Sequence, residues 1–593
     1  MAANKTAEAS PPTDSIAVAA PSVSPPIYGS QDIELVAADA APSVLSGEND
    51  ASRSRLRITA IMVALYVCVP ASPSTLPLTN SSTQLSMFIT ALDQTIVATA
   101  VPTITHDLNS ASGYVWIGGA YLLSNAAAGP IWAKLSDIFG RKPIILIADG
   151  LFFVSSIGCA EARNMKGLIV SRTFQGVAAG GLIPMVIITI SDLFSVRSRS
   201  LYIGLMELVW IVAGGIGPIL GGAFTEKLTW RWAFWINLPI SGAAFILLFF
   251  YLDVHNPRTP LIEGVKAIDW FGSLSIIGLV LMLLLGLEFG GSTVPWNSPK
   301  VICLILFGAL MSVVFVYSEK KLARYPLMPM SLFTNKSNAA SLLLTLWHGM
   351  VYIAAEYYLP LYFQSVHLSS PLESGILVMP ITTTEAVAGV VVGLIIHRTG
   401  SYLPLIYTGV ILMTIGNGLY ILYAVHTSLA QIVIFQIIAG IGAGLLFQAP
   451  LIALQACTKQ DDVASATATF GFVRSLATAI SVVIGGVIFQ SSMDIKVPSL
   501  SLAPTNLPMN ITESLSNGGA GANVYLVKGL QNKVQQLAVR GAYAWSMRNM
   551  WIFYTGISAL ALVSSVFIKG HHLRKDHVET KTGIKKEDGL QSS

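Results

Sequence analysis

The sequence predicts an all-α polytopic membrane protein, two six-helix halves plus two extra central helices, fourteen transmembrane helices in all. Three observations lead there. The 593-residue chain is 53% apolar and only 11% charged, with a mean hydropathy of +0.65, whereas soluble domains carry about 25% charged residues. Apolar runs of about 18–25 residues, long enough for a helix to cross ~30 Å of hydrocarbon, recur along the chain. Two short patterns also repeat at nearly one offset. So little charge cannot clothe a soluble surface, which excludes a soluble enzyme, a nucleic-acid binder and a disordered scaffold. The cysteines (Cys68, Cys159, Cys303, Cys457) all lie in apolar stretches, so neither a disulfide framework nor a metal cluster is expected.

Residues 1–55, rich in Ala, Ser, Pro and acidic side chains, read as a disordered N-terminal tail. Spans follow near 57–102, 113–133, 143–162, 166–190, 200–224 and 232–253, giving an N-terminal half over 57–253. Two extra helices near 268–289 and 301–318 occupy a linker region, 254–337. The C-terminal half, 338–569, holds spans near 338–360, 373–396, 403–424, 429–455, 467–490 and 549–569, with a long outer loop at 491–548. Residues 570–593 form the C-terminal tail. The first span is interrupted by residues 69–84, a polar stretch with three prolines that oppose a continuous helix. Deleting it joins Ile61–Cys68 to Leu85–Val101 as one apolar run. An unspliced intron explains this; a genuine outward or re-entrant loop is the alternative.

Orientation follows from the bias of Lys and Arg in short loops. One side holds Lys134, Arg141, Lys142, Arg197, Arg199, Arg258, Lys266, Lys320, Lys321, Arg324, Lys336, Arg398 and Lys459. The other holds only Arg163, Lys166, Lys227, Arg231 and Lys300. Thirteen against five places the first side, and both tails, in the cytoplasm. The outer loop carries Asn510-Ile-Thr512, a glycosylation acceptor pattern. Its later part (Val527, Leu530, Val534, Leu537) has helical spacing suited to the outer interface.

The repeats pair Ala133-x3-Asp137-x2-Gly140 with Gly393-x3-His397-x2-Gly400, and Phe174-Gln175-x2-Ala178 with Phe435-Gln436-x2-Ala439, at offsets of 260 and 261. Matching offsets imply two homologous halves, with substrate held near the midplane where they meet. Asp137 beside Arg141 and Lys142 forms a charge-assisted latch that breaks when the halves rock. Arg172, inside an apolar run, needs an internal partner or a wet cavity. Gly204-x8-Ala213-x3-Gly217-Pro218-x2-Gly221-Gly222 permits close helix approach and bends the span. The Gly440-x-Gly442-x-Gly444 run suits helix packing, since no strand precedes it as a dinucleotide-binding turn requires.

These motifs resemble the major facilitator superfamily, and within it the fourteen-spanner drug:proton antiporters of the fungal toxin and multidrug efflux type. Leu92-Asp93-Gln-Thr95-Ile-Val-Ala-Thr-Ala-Val-Pro102 is similar to that group's first-helix signature. The Asp137–Lys142 loop, Arg172-x2-Gln175-Gly176 and Gly217-Pro218-x2-Gly221-Gly222 resemble the superfamily's loop, helix-four and antiporter motifs. Trp230-Arg231-Trp232-x-Phe234-x2-Asn237-x-Pro239, Asp269-Trp270-x-Gly272 and Tyr357-Tyr358-Leu-Pro360-Leu-Tyr-Phe-Gln364 also match the group. Ala133 and Ala213 stand where the family patterns usually have Gly.

The resemblance implies proton-coupled export of small apolar or amphipathic compounds. It implies a proton gradient and no cofactor, a small-molecule substrate and protons as partners in the bilayer, a monomer, no nucleic acid and no enzymatic activity. Plasma membrane is the expected location, the vacuolar membrane the alternative. Vacuolar uptake of basic amino acids, siderophore export and a non-transporting nutrient sensor are the competing functions. Intramembrane ionisable residues are the default candidates. Asp93 and Arg172 are expected to couple protons, with Glu207, Glu356 and Glu385 as cavity acids. Asp149 and Glu288 are expected at interfaces, Arg474 is a further intramembrane candidate, and His348 a helix-contact histidine. Gln175, Trp210, Trp347, Tyr357, Tyr358 and Gln364 are expected to line a cargo cavity.

Overall fold

The computed structural model describes residues 76–573 apart from 109–112, 253, 255–256, 258, 291–293, 324, 503–504, 517–518 and 522. All of them belong to one compact unit, 64–593. The N-terminal tail, the stretch 57–75 and the C-terminal tail beyond 573 lie outside the described residues.

Fourteen long helices run through the described residues. They are α1 (Leu76–Asp107), α2 (Gly113–Phe139), α3 (Arg141–Ala160), α4 (Met165–Leu193), α5 (Val196–Lys227) and α6 (Trp232–Tyr251). Next come α7 (Trp270–Phe289) and α8 (Pro299–Tyr317). Then follow α9 (Lys336–Ser365), α10 (Pro371–Thr399), α11 (Leu403–Tyr420), α12 (Leu429–Ala456), α13 (Val463–Lys496) and α14 (Lys533–Ser565). Eleven of these segments are long and apolar enough to cross a membrane; α1, α2 and α14 are the other three. The described residues form no β-strand.

Sequence explains where the helices begin and stop. Asn164 caps α4 by accepting from the Gly167 amide at 2.8 Å. Ser370 with Glu373, and Ser428 with Gln431, form capping boxes on α10 and α12. Gly140, between α2 and α3, has φ +97°, and Gly400, at the end of α10, has φ +71°. Both sit in the left-handed region that glycine enters without steric cost. They are the paired glycines of the 260-residue echo.

Packing repeats as well. Within α1–α6 the close pairs are α2 with α4, α1 with α5, α3 with α4, α1 with α6 and α3 with α6. Shifting each label by eight gives α10 with α12, α9 with α13, α11 with α12, α9 with α14 and α11 with α14, all of which are close pairs. Between the two groups α5 packs on α10 and α2 on α13, and these two contacts exchange under the same shift. The glycine run of α12 makes its neighbours possible: a Cβ on Gly442 would strike the Met413 backbone of α11, and one on Gly440 would come within 2.8 Å of the Ile381 carbonyl of α10. Helices α7 and α8 pair with each other, and α7 leans on α2 and α13.

Three expectations change. Helix α1 begins at Leu76 and runs through the second part of the polar stretch 69–84. Helix α13 extends to Lys496 and α14 starts at Lys533, so the long loop shrinks to 497–532. Amphipathic sequence at both ends prolongs these helices beyond the apolar core. Val527 and Leu530 pack inward against the C-terminal group, leaving only Val534 and Leu537 exposed.

Candidate functional site

Two polar clusters and one polar closure lie among these helices. The first cluster sits within α1–α6. Two turns into α4, Arg172 is 2% exposed and donates to Asp93 Oδ2 of α1 at 2.6 Å, Gln175 Oε1 at 2.7 Å and the Ile117 carbonyl of α2 at 3.1 Å. Its guanidinium lies 4.4 Å from the centre of the Tyr121 ring. Asp93 Oδ1 accepts from Gln175 Nε2 at 2.9 Å and from Asn237 Nδ2 of α6 at 2.8 Å. Ser156 of α3 accepts a further bond from Gln175 at 3.0 Å. Asp93, Gln175, Asn237 and Ser156 are all fully buried. Two opposite charges in so dry a place survive only because each is paired and further hydrogen-bonded.

The second cluster gathers around α9, α10, α12 and α13, with one residue from α5. Helix α12 breaks at Phe447–Gln448, and the break releases backbone carbonyls. Arg474 of α13 donates to the Phe447 carbonyl and lies over the Phe447 and Phe470 rings, at 5.1 and 4.7 Å. His348 Nε2 meets the Ala443 carbonyl at 3.0 Å, and its ring stacks on Tyr352 and meets Phe447 edge-on. Glu356 of α9 and Glu385 of α10 lie within electrostatic range of each other. Glu207 reaches across from α5 and packs against Gly389 of α10, with Arg474 in electrostatic range. Glu385 is 4% exposed, whereas Glu207 and Glu356 are partly exposed.

The closure is at the end carrying the 134–142 loop. Arg141 bonds Asp137 at 2.6 Å, Asp192 at 2.7 Å and Ser136 at 2.7 Å. Asp137 in turn accepts from Ser465 at 3.5 Å, in the first turn of α13, where the helix dipole favours an anion. Arg199 donates to Gln455 at 3.0 Å, and Gln455 donates to Ser191 at 3.1 Å. Arg197 donates to the carbonyls of His397 and Arg398, and Ser200 to that of Gly393 at 3.3 Å. Among the described residues, the hydrogen bonds joining α1–α6 to α9–α14 are all at this end.

Several expected residues fall elsewhere. Gln175 is sealed inside the Asp93 network and lines no cavity. Lys142 lies over the Phe249 ring, 5.8 Å from its centre, and takes no part in the Arg141 ion pairs. Asp149 is not interfacial: it is fully buried and accepts from Ser241 at 3.0 Å, because its helix turns that face toward α6. Trp347 bonds Ser564 at 3.1 Å, Tyr358 bonds the Val482 carbonyl and Gln364 bonds Ser374 at 3.4 Å, whereas Tyr357 is 58% exposed. Trp210 packs half-buried against the main core. On α5, Gly217 abuts Thr95 of α1, which donates to the Ala213 carbonyl at 3.0 Å, while Gly222 faces open space. Gly221 is buried on the same helix. The side chains of Pro218 and Glu288 lie outside the described set. Asn510 is exposed on the short helix Met509–Leu515 of the long loop.

Asn237, Ser156, Asp192 and Gln455 were not among the predicted site residues. Asn237 stood inside a quoted motif, which was the one signal available; the others are ordinary polar residues whose partners lie on other helices.

Residues 84–482 match the profile of the Major Facilitator Superfamily. The efflux pump dotC of Dothistroma septosporum is 45% identical over 501 residues, 84% of this chain and 85% of that protein. The MFS-type transporter ppz2 of Metarhizium majus is 41% identical over 572 residues, 96% of this chain and 94% of that one. Efflux pump FUS6 of Gibberella moniliformis is 35% identical, covering 85% of this chain and 89% of its own. Among solved structures, the human organic anion transporter MFSD10 superposes with a TM-score of 0.53 at 14% identity, over 83% of this chain and all (100%) of that one.

Proposed function

Since the chain belongs to the Major Facilitator Superfamily, a family of multi-pass membrane transporters and not enzymes, we propose that it exports small apolar or amphipathic compounds by alternating access, exchanging them for protons. The names of the related efflux pumps support export. With the Lys- and Arg-rich loops in the cytoplasm, all fourteen long helices cross the plasma membrane, and the closed end is the cytoplasmic one. The state described is then outward-facing.

One observation carries the proton coupling: the Asp93–Arg172 pair at 2.6 Å, fully buried and tied to four helices. Protonating Asp93 would remove the charge that balances Arg172 and leave a cation buried among neutral partners. Proton uptake and rearrangement of α1, α2, α4 and α6 must therefore occur together. The driving force suffices. One proton entering releases ~2.3 kcal/mol per 100 mV and ~1.4 kcal/mol per pH unit. At roughly 150 mV and one pH unit that is ~5 kcal/mol, enough for a neutral-solute gradient above about a thousandfold.

The purified protein in vesicles with an imposed pH gradient tests this. Export should follow the gradient and collapse with an uncoupler. Export that tracked added ATP and ignored the uncoupler would overturn the proposal.

A further inference from the structure

Helix α14 ends at Ser565, and the residues after it fold back on the molecule. The Lys569 amide donates to the Ser337 hydroxyl at the start of α9, at 3.1 Å. The Lys569 carbonyl accepts from the Tyr402 hydroxyl at 2.7 Å, and the same hydroxyl oxygen accepts from the His571 amide at 3.1 Å. The Leu573 amide donates to the Gly400 carbonyl at 3.0 Å. Ile568 and Leu573, each 3% exposed, sink into the main core at either end of the segment. Fixing a segment in one conformation costs entropy, so this short stretch, pinned by four hydrogen bonds and two buried side chains, calls for a reason.

What it holds is the turn from α10 to α11, to which Gly400 and Tyr402 belong. Carbonyls in the last turn of a helix lack helical donors. Arg197 of α5 supplies donors to those of His397 and Arg398, and Leu573 supplies one to that of Gly400. A Cβ on Gly400 would come 3.1 Å from His572 Cε1 and 3.3 Å from Arg197 Nη1. The turn is thus gripped from two sides, by Arg197 and by the chain after α14. The echoed loop repeats the plan. After α6, Thr259 donates to the Ile138 carbonyl at 2.7 Å, and Gly264 fits against the Phe139 ring, where a Cβ would come within 2.2 Å.

We infer that Ile568–Leu573 is a positioning element of the cytoplasmic closure. It fixes the turn after α10 so that the His397 and Arg398 carbonyls face Arg197. A main-chain acceptor moves only with its backbone, so the strength of the Arg197 grip depends on what holds that backbone still. Releasing the segment therefore loosens the closed end. This rests on the alternating-access reading above and adds to it the part of the chain that sets how firmly the end stays shut.

The test uses full-length protein in detergent, with the four native cysteines changed to Ala and Ser200→Cys as reporter. Ser200 is fully buried at the closed end, where it donates to the Gly393 carbonyl, so its reaction with a polar maleimide reads opening. Tyr402→Phe keeps the ring but strands the Lys569 carbonyl and the His571 amide. Leu573→Pro removes the amide that meets Gly400. Each should label about three- to tenfold faster than the parent, the shift one lost hydrogen bond produces. Arg197→Ala, which removes the grip outright, should label at least as fast. Adding Tyr402→Phe to it should change nothing further, because the segment acts through Arg197. Parental rates in both Tyr402→Phe and Leu573→Pro, beside faster labelling in Arg197→Ala, would overturn the positioning role and leave alternating access standing. Further acceleration in the double variant would mean general loosening and would overturn it too. Unchanged labelling in Arg197→Ala would overturn the closure itself, and the positioning role with it. If Leu573→Pro fails to fold, Tyr402→Phe, which preserves the apolar contacts, decides.

Discussion

Replacing Asp93 by Asn keeps the shape of the first cluster and removes one charge. Arg172 would retain Gln175 Oε1, the Ile117 carbonyl and the Tyr121 ring, but at 2% exposure it would have no anion. Losing one partner of a buried pair costs about 3–5 kcal/mol, and the neutral contacts that remain put this loss near about 3 kcal/mol. Arg172→Gln leaves Asp93 buried with two amide donors, Gln175 and Asn237, and should cost a similar amount. The double variant strands no charge and should lose far less than the sum, giving a coupling energy of about 3 kcal/mol. Equilibrium unfolding in mixed detergent, followed by tryptophan fluorescence, measures the cycle. Vesicle assays on the folded Asp93→Asn protein should show gradient-driven export abolished. Additive losses, or export by Asp93→Asn at the wild-type rate and still coupled to protons, would refute the reasoning.

Three further outcomes are expected. Asp137→Asn and Arg141→Ala should each slow turnover by about tenfold while shifting cargo affinity by less than about twofold, since the latch is remote from the clusters; lost binding at unchanged turnover would contradict a gating role. Gly217→Ala drives a Cβ into Thr95 and should destabilise the α1–α5 contact by about 1–3 kcal/mol, whereas Gly222→Ala meets nothing within 4 Å and should stay within about 0.5 kcal/mol of wild type by the same unfolding assay. Sequencing the transcript should show that the 48 nucleotides encoding the 16 residues 69–84 are removed from mature message. Gln84, the last of them, has a buried amide with neither atom hydrogen-bonded, and the family profile match begins there; retention of those bases would make the segment genuine protein.

Much of the fold was legible because the bilayer imposes a length on every apolar run, and the predicted spans 113–133, 143–162 and 166–190 return as α2, α3 and α4 with starts within two residues, α2 running six residues further. The ends of α13 and α14 were not legible: the sequence beyond the apolar core is amphipathic, and nothing local says whether it continues a helix or lies on a surface. For the first cluster, Asp93 and Arg172 stood out because charge inside a span is costly. Asn237 and Ser156, which complete it, are neutral and common, so only the folded packing of α3 and α6 reveals them. The closure depends on partners such as Asp137 and Ser465, 328 residues apart, or Arg199 and Gln455, 256 apart. No periodicity or spacing encodes such pairings; they arise from how the two groups of helices meet.

The echoed loops ending at Gly140 and Gly400 both turn at a glycine of positive φ but close this end by different means. In the first, Asp137 contributes a side chain, which one substitution can delete or recharge. In the second, Arg197 grips the main-chain carbonyls of His397 and Arg398, groups that every amino acid supplies. Variation at 397 and 398 therefore leaves that grip in place, while variation at 137 retunes the other. A duplicated device has become one arm that is mutationally buffered and one that is adjustable, so opening rates can drift between related pumps through a single position without the gate losing its hold.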